Sequence, residues 1–327
     1  MKHATPGRTC AWGFLTLLAS VQASAQDPAA NYPNRPITII AIVSPGGAGE
    51  TQARIYIPKL TENLGRPFIF DYKPGAGGSV GFAATAKAAP DGYTLVAATP
   101  AFSTLPAVMA NLPYDPIKDF APVVQLSSQL GMLAVHPSVP FTTMQEYVAY
   151  ARANPGKLNW GTPGAGSTGH LVGAWLNDIT RTTTTFVHYK GPQLFTDLMS
   201  GIVQATANGI VNIAPLVKAG KLRALAIPGP VRSQAFPDVP TAKEQGVDFD
   251  YPSWMGIIAP AGTPIPIVNK LNAEFIKVQK LPETLKLLEK ASVMPVSGTP
   301  AEFARLLADE IGRWTRLVKQ LDIKIEG

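Results

Sequence analysis

Two glycine-rich turns carry the clearest chemical signal in this chain. Ile37 to Val43 reads as a strand and runs straight into Ser44-Pro45-Gly46-Gly47-Ala48-Gly49, with a helix-like stretch after it. The layout recurs at Lys157 to Trp160, then Gly161-Thr162-Pro163-Gly164-Ala165-Gly166-Ser167-Thr168, then a second helix-like stretch from Gly169. A helix that opens on a glycine turn leaves its first N–H groups without intrahelical partners, and the helix dipole places about half a positive charge behind them. Such an end suits an anion. Two of them in one chain point to a ligand held between two positive helix ends.

Other motifs carry less. Gly164, Gly166 and Gly169 spell G-x-G-x-x-G after a strand, the pattern of a dinucleotide site. The acidic residue that should hold the ribose about 20 residues on is missing, because the next strand ends His188-Tyr189-Lys190. Gly77-Gly78-Ser79-Val80-Gly81 matches the G-x-S-x-G of serine hydrolases. That motif needs its serine directly after a strand, and Lys73-Pro74-Gly75-Ala76 intervenes. No local pattern selects a histidine partner from His136, His170 and His188. These three are not at metal-ligand spacing, and no cofactor is expected. His170, just inside the second turn's helix, reads equally as a ligand contact or as a hydrogen-bond partner of the loop. Trp160, Trp175, Trp254 and Trp314 read as core, with Trp254 the best placed to be an exception.

The elements that must hold these turns follow from patterning. Residues 1–25 read as an export leader: Lys2, His3 and Arg8 form a basic start, Cys10 to Val21 is apolar, and Ala23-Ser24-Ala25 is an A-x-A cleavage site. The expected mature chain begins at Gln26 and is exported. Cys10 is the only cysteine, so the mature chain has no disulfide, thiol nucleophile or cysteine metal site. Two of the 28 Lys and Arg lie in the leader, which leaves 26 against 22 Asp and Glu, scattered rather than clustered. That pattern does not fit a nucleic-acid binder. About 300 residues usually means two domains.

Strand-like and helix-like stretches alternate: a helix over 51–64 with Ala53, Ile57, Leu60 and Leu64 on one face, a strand over 67–72, a helix over 81–89, a strand over 93–98 and a helix over 101–110. Pro58 should kink the first helix or delay its start. This order implies an α/β fold with a mostly parallel sheet. Thr143 with Glu146, and Thr299 with Glu302, form capping boxes. The last helix carries Phe303, Leu306, Leu307, Ile311, Trp314, Leu317, Val318 and Leu321 at core spacing.

A run of further motifs resembles a known family. Tyr32-Pro33, Pro45-Gly46-Gly47, Arg66-Pro67, Pro74-Gly75-Ala76-Gly77-Gly78, Pro90-Asp91-Gly92-Tyr93-Thr94-Leu95 and Leu112-Pro113-Tyr114-Asp115 open the match. Asp119-Phe120-Ala121-Pro122, Asn154-Pro155-Gly156-Lys157-Leu158, Ser167-Thr168-Gly169-His170-Leu171 and Tyr189-Lys190-Gly191 continue it. Ala219-Gly220-Lys221-Leu222-Arg223-Ala224-Leu225-Ala226, Pro237-Asp238-Val239-Pro240-Thr241 and Ala259-Pro260-Ala261-Gly262-Thr263-Pro264 complete it. In order and over essentially the whole mature chain, these resemble the Bug receptors, periplasmic solute-binding proteins of tripartite tricarboxylate transporters.

The resemblance implies a two-lobed, Venus-flytrap (type II) binding protein with a parallel-rich sheet in each lobe, not an enzyme. It implies lobes over 26–137 plus 251–327 and over 138–250, hinged near His136 to Pro140 and near Asp250 to Trp254. The implied partners are a small organic carboxylate and a membrane permease, with the receptor in the periplasm; a monomer is the default expectation. A citrate-like acid, a dicarboxylate, an aromatic acid and an acidic amino acid all remain open. Carried over by position, the ligand contacts are Ser44, Gly46, Gly47 and Ala48 from the first turn. The second turn supplies Thr162, Gly164, Gly166, Ser167 and Thr168, followed by His170. Thr99, Tyr189 and Asn208 stand at strand ends. Three positions depart from the family's usual pattern: Glu50 and Asn208 stand where aspartate is common, and His188 where proline is. A cleft carboxylate at 208 would meet an amino group, so its loss points to a ligand without one. The alternative expectation is a secreted α/β serine hydrolase using Ser79.

Overall fold

The computed structural model describes residues 1, 3, 27–43, 45, 48–189, 193–291 and 293–323. The leader's apolar stretch and its cleavage point, together with Ser44, Gly46 and Gly47, lie outside the described residues. The chain runs β1 (Ile37–Ala41), α1 (Ala48–Leu64), β2 (Phe68–Tyr72), α2 (Ser79–Ala86), β3 (Thr94–Ala98), α3 (Ala101–Val108) and β4 (Phe120–Val135). It continues with α4 (Met144–Ala153), β5 (Asn159–Thr162), α5 (Thr168–Thr180), β6 (Thr185–His188), α6 (Gln193–Ser200), β7 (Ala205–Gly209), α7 (Ile210–Lys218) and β8 (Arg223–Ala226). The last elements are β9 (Pro252–Pro260), α8 (Ile265–Gln279), α9 (Pro282–Lys290), β10 (Met294–Pro295) and α10 (Pro300–Gln320).

Each lobe is a sheet between helices. In the first, β2, β1 and β3 are parallel, and β9 and β4 close the sheet antiparallel. Strand β1 (Ile-Thr-Ile-Ile-Ala) is apolar at four of five positions, as a strand covered on both faces should be. One face packs under α1 and α8 through Tyr56, Leu60, Leu271 and Phe275. The other packs under α2, α3 and α10 through Phe82, Phe102, Phe303 and Leu307. In the second lobe β6, β5 and β7 are parallel and β4 pairs antiparallel with both β7 and β8. The sheets are thus mixed, with a parallel trio in each. The first-lobe helix begins at Ala48, three residues before the sequence expectation, and continues through Pro58. It ends at Gly65, whose φ of 67° lets its N–H turn back to the Thr61 carbonyl at 2.9 Å. Both expected capping boxes form.

The lobes are joined by strands rather than by a linker. Phe120 to Leu130 of β4 pair with β9, and Gly131 to Val135 of the same strand pair with β7. The sequence placed this crossing at His136 to Pro140; the strand changes sheet at Leu130–Gly131 instead. A Cβ at Gly131 would sit 3.0 Å from the Pro228 ring, so the change of sheet uses a residue without one. The return crossing falls at the start of β9, where Tyr251 belongs to the second core and Trp254 to the first. Helix α10 makes a further crossing that the expected lobe bounds missed. Its Phe303 and Leu307 lie in the first core, while Trp314 and Val318 lie in the second. Trp254 is also core: it is 1% exposed and meets the Phe303 ring edge-on at 5.4 Å.

Candidate functional site

The parallel strands of both lobes point their C-terminal ends at one cleft of about 960 Å³. Open α/β sheets bind ligands at this place, because the helices that follow the strands begin there. Helices α2, α3, α5 and α7 all start at its wall. Gly78 and Gly209 line the cleft, precede α2 and α7, and give those helix starts no side-chain cap.

The second glycine turn is held from behind. Thr162 is fully buried; its Oγ1 accepts the Gly164 N–H at 3.3 Å and lies 2.7 Å from His188 Nδ1. His170 Nδ1 accepts the Gly166 N–H at 3.1 Å. Ser167 caps α5 by accepting the His170 N–H at 3.3 Å. Gly164 and Gly166 have φ of 145° and 71°, values that favour glycine. This fixing lets Gly164, Gly166, Ser167 and Thr168 line the cleft together with Thr99 and Asn208.

Three expected contacts do not line it. Thr162 lies beneath the turn. His170 lies behind it, in a shallow depression with Asn177, Arg181 and Phe186. Tyr189 turns away to donate its hydroxyl to Asp197 at 2.8 Å. For Ala48 the structure describes only its place at the start of α1. Glu50 is buried within its own lobe, accepting from Arg54 Nε at 2.5 Å and from the Tyr72 hydroxyl at 2.7 Å.

Sequence reasoning missed the loop Pro74–Gly78 and the side chains of Thr104, Asn212, Tyr251 and Ser253, all of which line the cleft. The loop's positive φ values at Gly75, Ala76, Gly77 and Gly78 explain its glycines, which the hydrolase motif had claimed. Tyr251 comes from the return crossing and lines the cleft together with Ser253 and, at the start of α5, Thr168. Ser79 itself is buried and does not line the cleft. His136, His170 and His188 are engaged by Ser138, Gly166 and Thr162, all in the second lobe. Among the described residues no group of His, Cys, Asp and Glu could hold a metal ion.

Asn208 is oriented by its own helix. Its Oδ1 accepts the Gly209 N–H at 2.8 Å and Asn212 Nδ2 at 3.0 Å. With the oxygen committed, the Nδ2 donors are what the side chain can offer a ligand. Among the described residues lining the cleft, none is charged. Attraction for an anion there rests on amide and hydroxyl donors and on helix ends.

The two histidines behind the turn are both pushed towards their neutral forms. Their rings stand 4.8 Å apart, and Nδ1 of His170 has to accept a hydrogen bond. Burial, and secondarily the neighbouring His188, pushes the His170 pKa down to about 4. Burial also lowers that of His188. A histidine depressed in the folded state stabilises it fully above its unfolded value of about 6.5. That contribution is lost as pH falls from about 6.5 towards 4. His170→Asn keeps an acceptor for Gly166 but cannot titrate. The variant is expected to show a shallower fall in melting temperature between pH 6.5 and 4 than the parent. Equal slopes would show that His170 protonation does not unsettle the turn.

Two α/β lobes sharing strands around one ligand-sized cleft define the class of two-lobed solute-binding proteins. Residues 53–323 match the family model for the tripartite tricarboxylate transporter family receptor, and the chain belongs to that family. It is 31% identical to BugT of Bordetella pertussis over 94% of this chain and 96% of that one. An R. palustris protein solved with adipate is 32% identical, with a TM-score of 0.83 over 90% of this chain and 99% of the other. MatC of Rhodopseudomonas palustris, solved with bound malate, is 31% identical, with a TM-score of 0.79 over 88% and 100%. The family is one of transporter receptors rather than of enzymes, which leaves the hydrolase alternative without support.

Proposed function

We propose that this chain is exported to the periplasm, loses its leader after Ala25, and works as a monomeric receptor that captures a small organic carboxylate. The carboxylate sits between the second glycine turn and the Asn208–Gly209 start of α7, with Thr99 facing it from the other lobe. The loaded receptor is then read by the membrane permease of a tripartite transporter. The observation that carries this reading is a cleft built from both lobes, rich in backbone and amide donors and free of charged side chains among its described residues. Relatives solved with adipate and with malate support the same ligand chemistry. No described helix is long and apolar enough to cross a membrane, which fits a receptor that hands its ligand to a separate permease.

Capture needs the two lobes to close. In this reading the hinge lies at the strand crossings, Leu130–Gly131 and Tyr251–Pro252, with α10 flexing near its middle. Ligand favours the closed form by its differential affinity for it. Charge-assisted hydrogen bonds to a carboxylate contribute roughly 1.5–3 kcal/mol each.

The test is a thermal-shift series on residues 26–327 with small carboxylates, each paired with its uncharged amide. At 100 times its dissociation constant a ligand adds about 2.7 kcal/mol of stability. A shift with an acid and none with its amide is the expected result. No shift with any carboxylate would overturn the reading.

A further inference from the structure

One residue of the cleft carries a chemistry that ligand binding does not use. Asn208-Gly209 is the only Asn-Gly pair in the sequence, and it stands where β7 ends and α7 begins. The side-chain amide of an asparagine is open to attack by the backbone nitrogen of the next residue, which closes a five-membered ring. A glycine in that next position has no Cβ to crowd the nitrogen. Three features favour the attack here. The Gly209 nitrogen lies 2.8 Å from Asn208 Oδ1. Cγ is one C=O bond of about 1.2 Å from that oxygen, so it lies within about 4 Å of the nitrogen. Asn212 Nδ2 donates to the same Oδ1 at 3.0 Å, so a donor is already in place for the oxyanion that the attack creates. Both Asn208 and Gly209 are half-buried and line the cleft, where water has access.

We infer that Asn208 is a deamidation site whose conversion inactivates the ligand cleft. The deprotonated Gly209 nitrogen adds to Cγ, the Cγ–Nδ2 bond breaks, and Nδ2 leaves as ammonia after taking up a proton. The product is a cyclic imide of Asn208 with the Gly209 nitrogen. Water then opens the ring, its hydroxyl going to one carbonyl carbon and its proton to the ring nitrogen. Opening at Cγ gives aspartate, and opening at the main-chain carbonyl carbon gives isoaspartate. The net change is one water taken up and one ammonia released, with no oxidant or reductant. Both products place a negative charge where the Nδ2 donors stood. Isoaspartate also adds a methylene to the main chain at the start of α7. The resulting loss of acid binding rests on the carboxylate reading above; the modification itself does not.

The test follows residues 26–327 and a free peptide spanning Ala205 to Pro215 through incubation at pH 9 and at pH 5, with peptide mapping by mass spectrometry. Asn208 is expected to gain one mass unit before any other asparagine, faster at pH 9, and to take up one heavy oxygen from labelled water. Gly209 has φ of −55° and ψ of 135°, which any residue adopts. Gly209→Ala should therefore keep the ligand-free melting temperature and slow the conversion, because the added methyl crowds the attacking nitrogen. In calorimetric titrations with adipate, malate and citrate, the number of sites per chain should fall in step with the converted fraction. Asn208 still amidated when the free peptide has converted would overturn the inference, as would another asparagine converting first or Gly209→Ala converting at the parent rate. A converted fraction that binds as fresh protein does would overturn the inactivation. Fresh protein that binds none of the three acids would count instead against the carboxylate reading, and the mass measurement would still decide the modification.

Discussion

Replacing Asn208 with aspartate is expected to weaken carboxylate binding by at least about a thousandfold at pH 8 and to leave the ligand-free fold intact. The fold survives because the aspartate would keep an oxygen where Asn208 Oδ1 now accepts from Gly209 N–H and Asn212 Nδ2. What changes is the atom facing the cleft, from a donor to a charged acceptor. Two unit charges about 4 Å apart at an effective dielectric of about 20 repel by about 4 kcal/mol, and a donor worth about 1–3 kcal/mol is lost as well. An aspartate beside a bound carboxylate also gains by taking up a proton, since like charges raise its pKa. Binding to the variant should therefore recover as pH falls towards 5, while the parent's affinity changes little over that range. A pH-independent loss would mean that damage to the α7 start, not charge, is responsible. Affinity unchanged at pH 8 would show that Asn208 does not face the ligand.

Why this residue was readable, and others were not, follows from how each reaches the cleft. The second glycine turn and Asn208 sit at strand ends, and in an α/β fold the C-terminal strand ends share one edge, so their placement follows from local order. The capping boxes and the buried stripe of α10 were equally local. Residues that depend on distant pairing were not readable. Strand β4 includes Ser127-Ser128-Gln129, which lack a strand's apolar signal and are held by β9 more than a hundred residues later. The change of sheet at Gly131 therefore left no local trace, and the crossing was displaced to the proline-marked stretch that follows. Tyr251 and Ser253 reach the cleft only because β9 returns beside β4. The proline-glycine run at 74–78 read as a loop before a candidate nucleophile; its function in the wall depends on a left-handed backbone run that sequence alone does not display. Tyr189 and His170 were near the right place but turn inward, each taken up by a nearer partner.

Gly166→Val should abolish measurable ligand binding through the backbone rather than through a lost contact. Gly166 has a φ of 71°, and a β-branched residue is strongly disfavoured there. Holding it costs on the order of 1–3 kcal/mol, which the turn can escape by flipping to negative φ. The flip would break the Gly166 N–H to His170 Nδ1 bond and re-aim the following Ser167 and Thr168 at the start of α5. Donors set for an anion lose most of their value when misdirected, because hydrogen bonds weaken steeply as they bend. Gly166→Asn separates the two effects, since asparagine tolerates the left-handed region and keeps the turn. The asparagine variant is expected to melt close to the parent and to bind more weakly only through its side chain's intrusion into the cleft. The valine variant should melt lower and show no titratable binding at millimolar acid. If valine binds as well as asparagine does, the turn's left-handed geometry is not what holds the ligand, and the anion site must be sought at α7 alone.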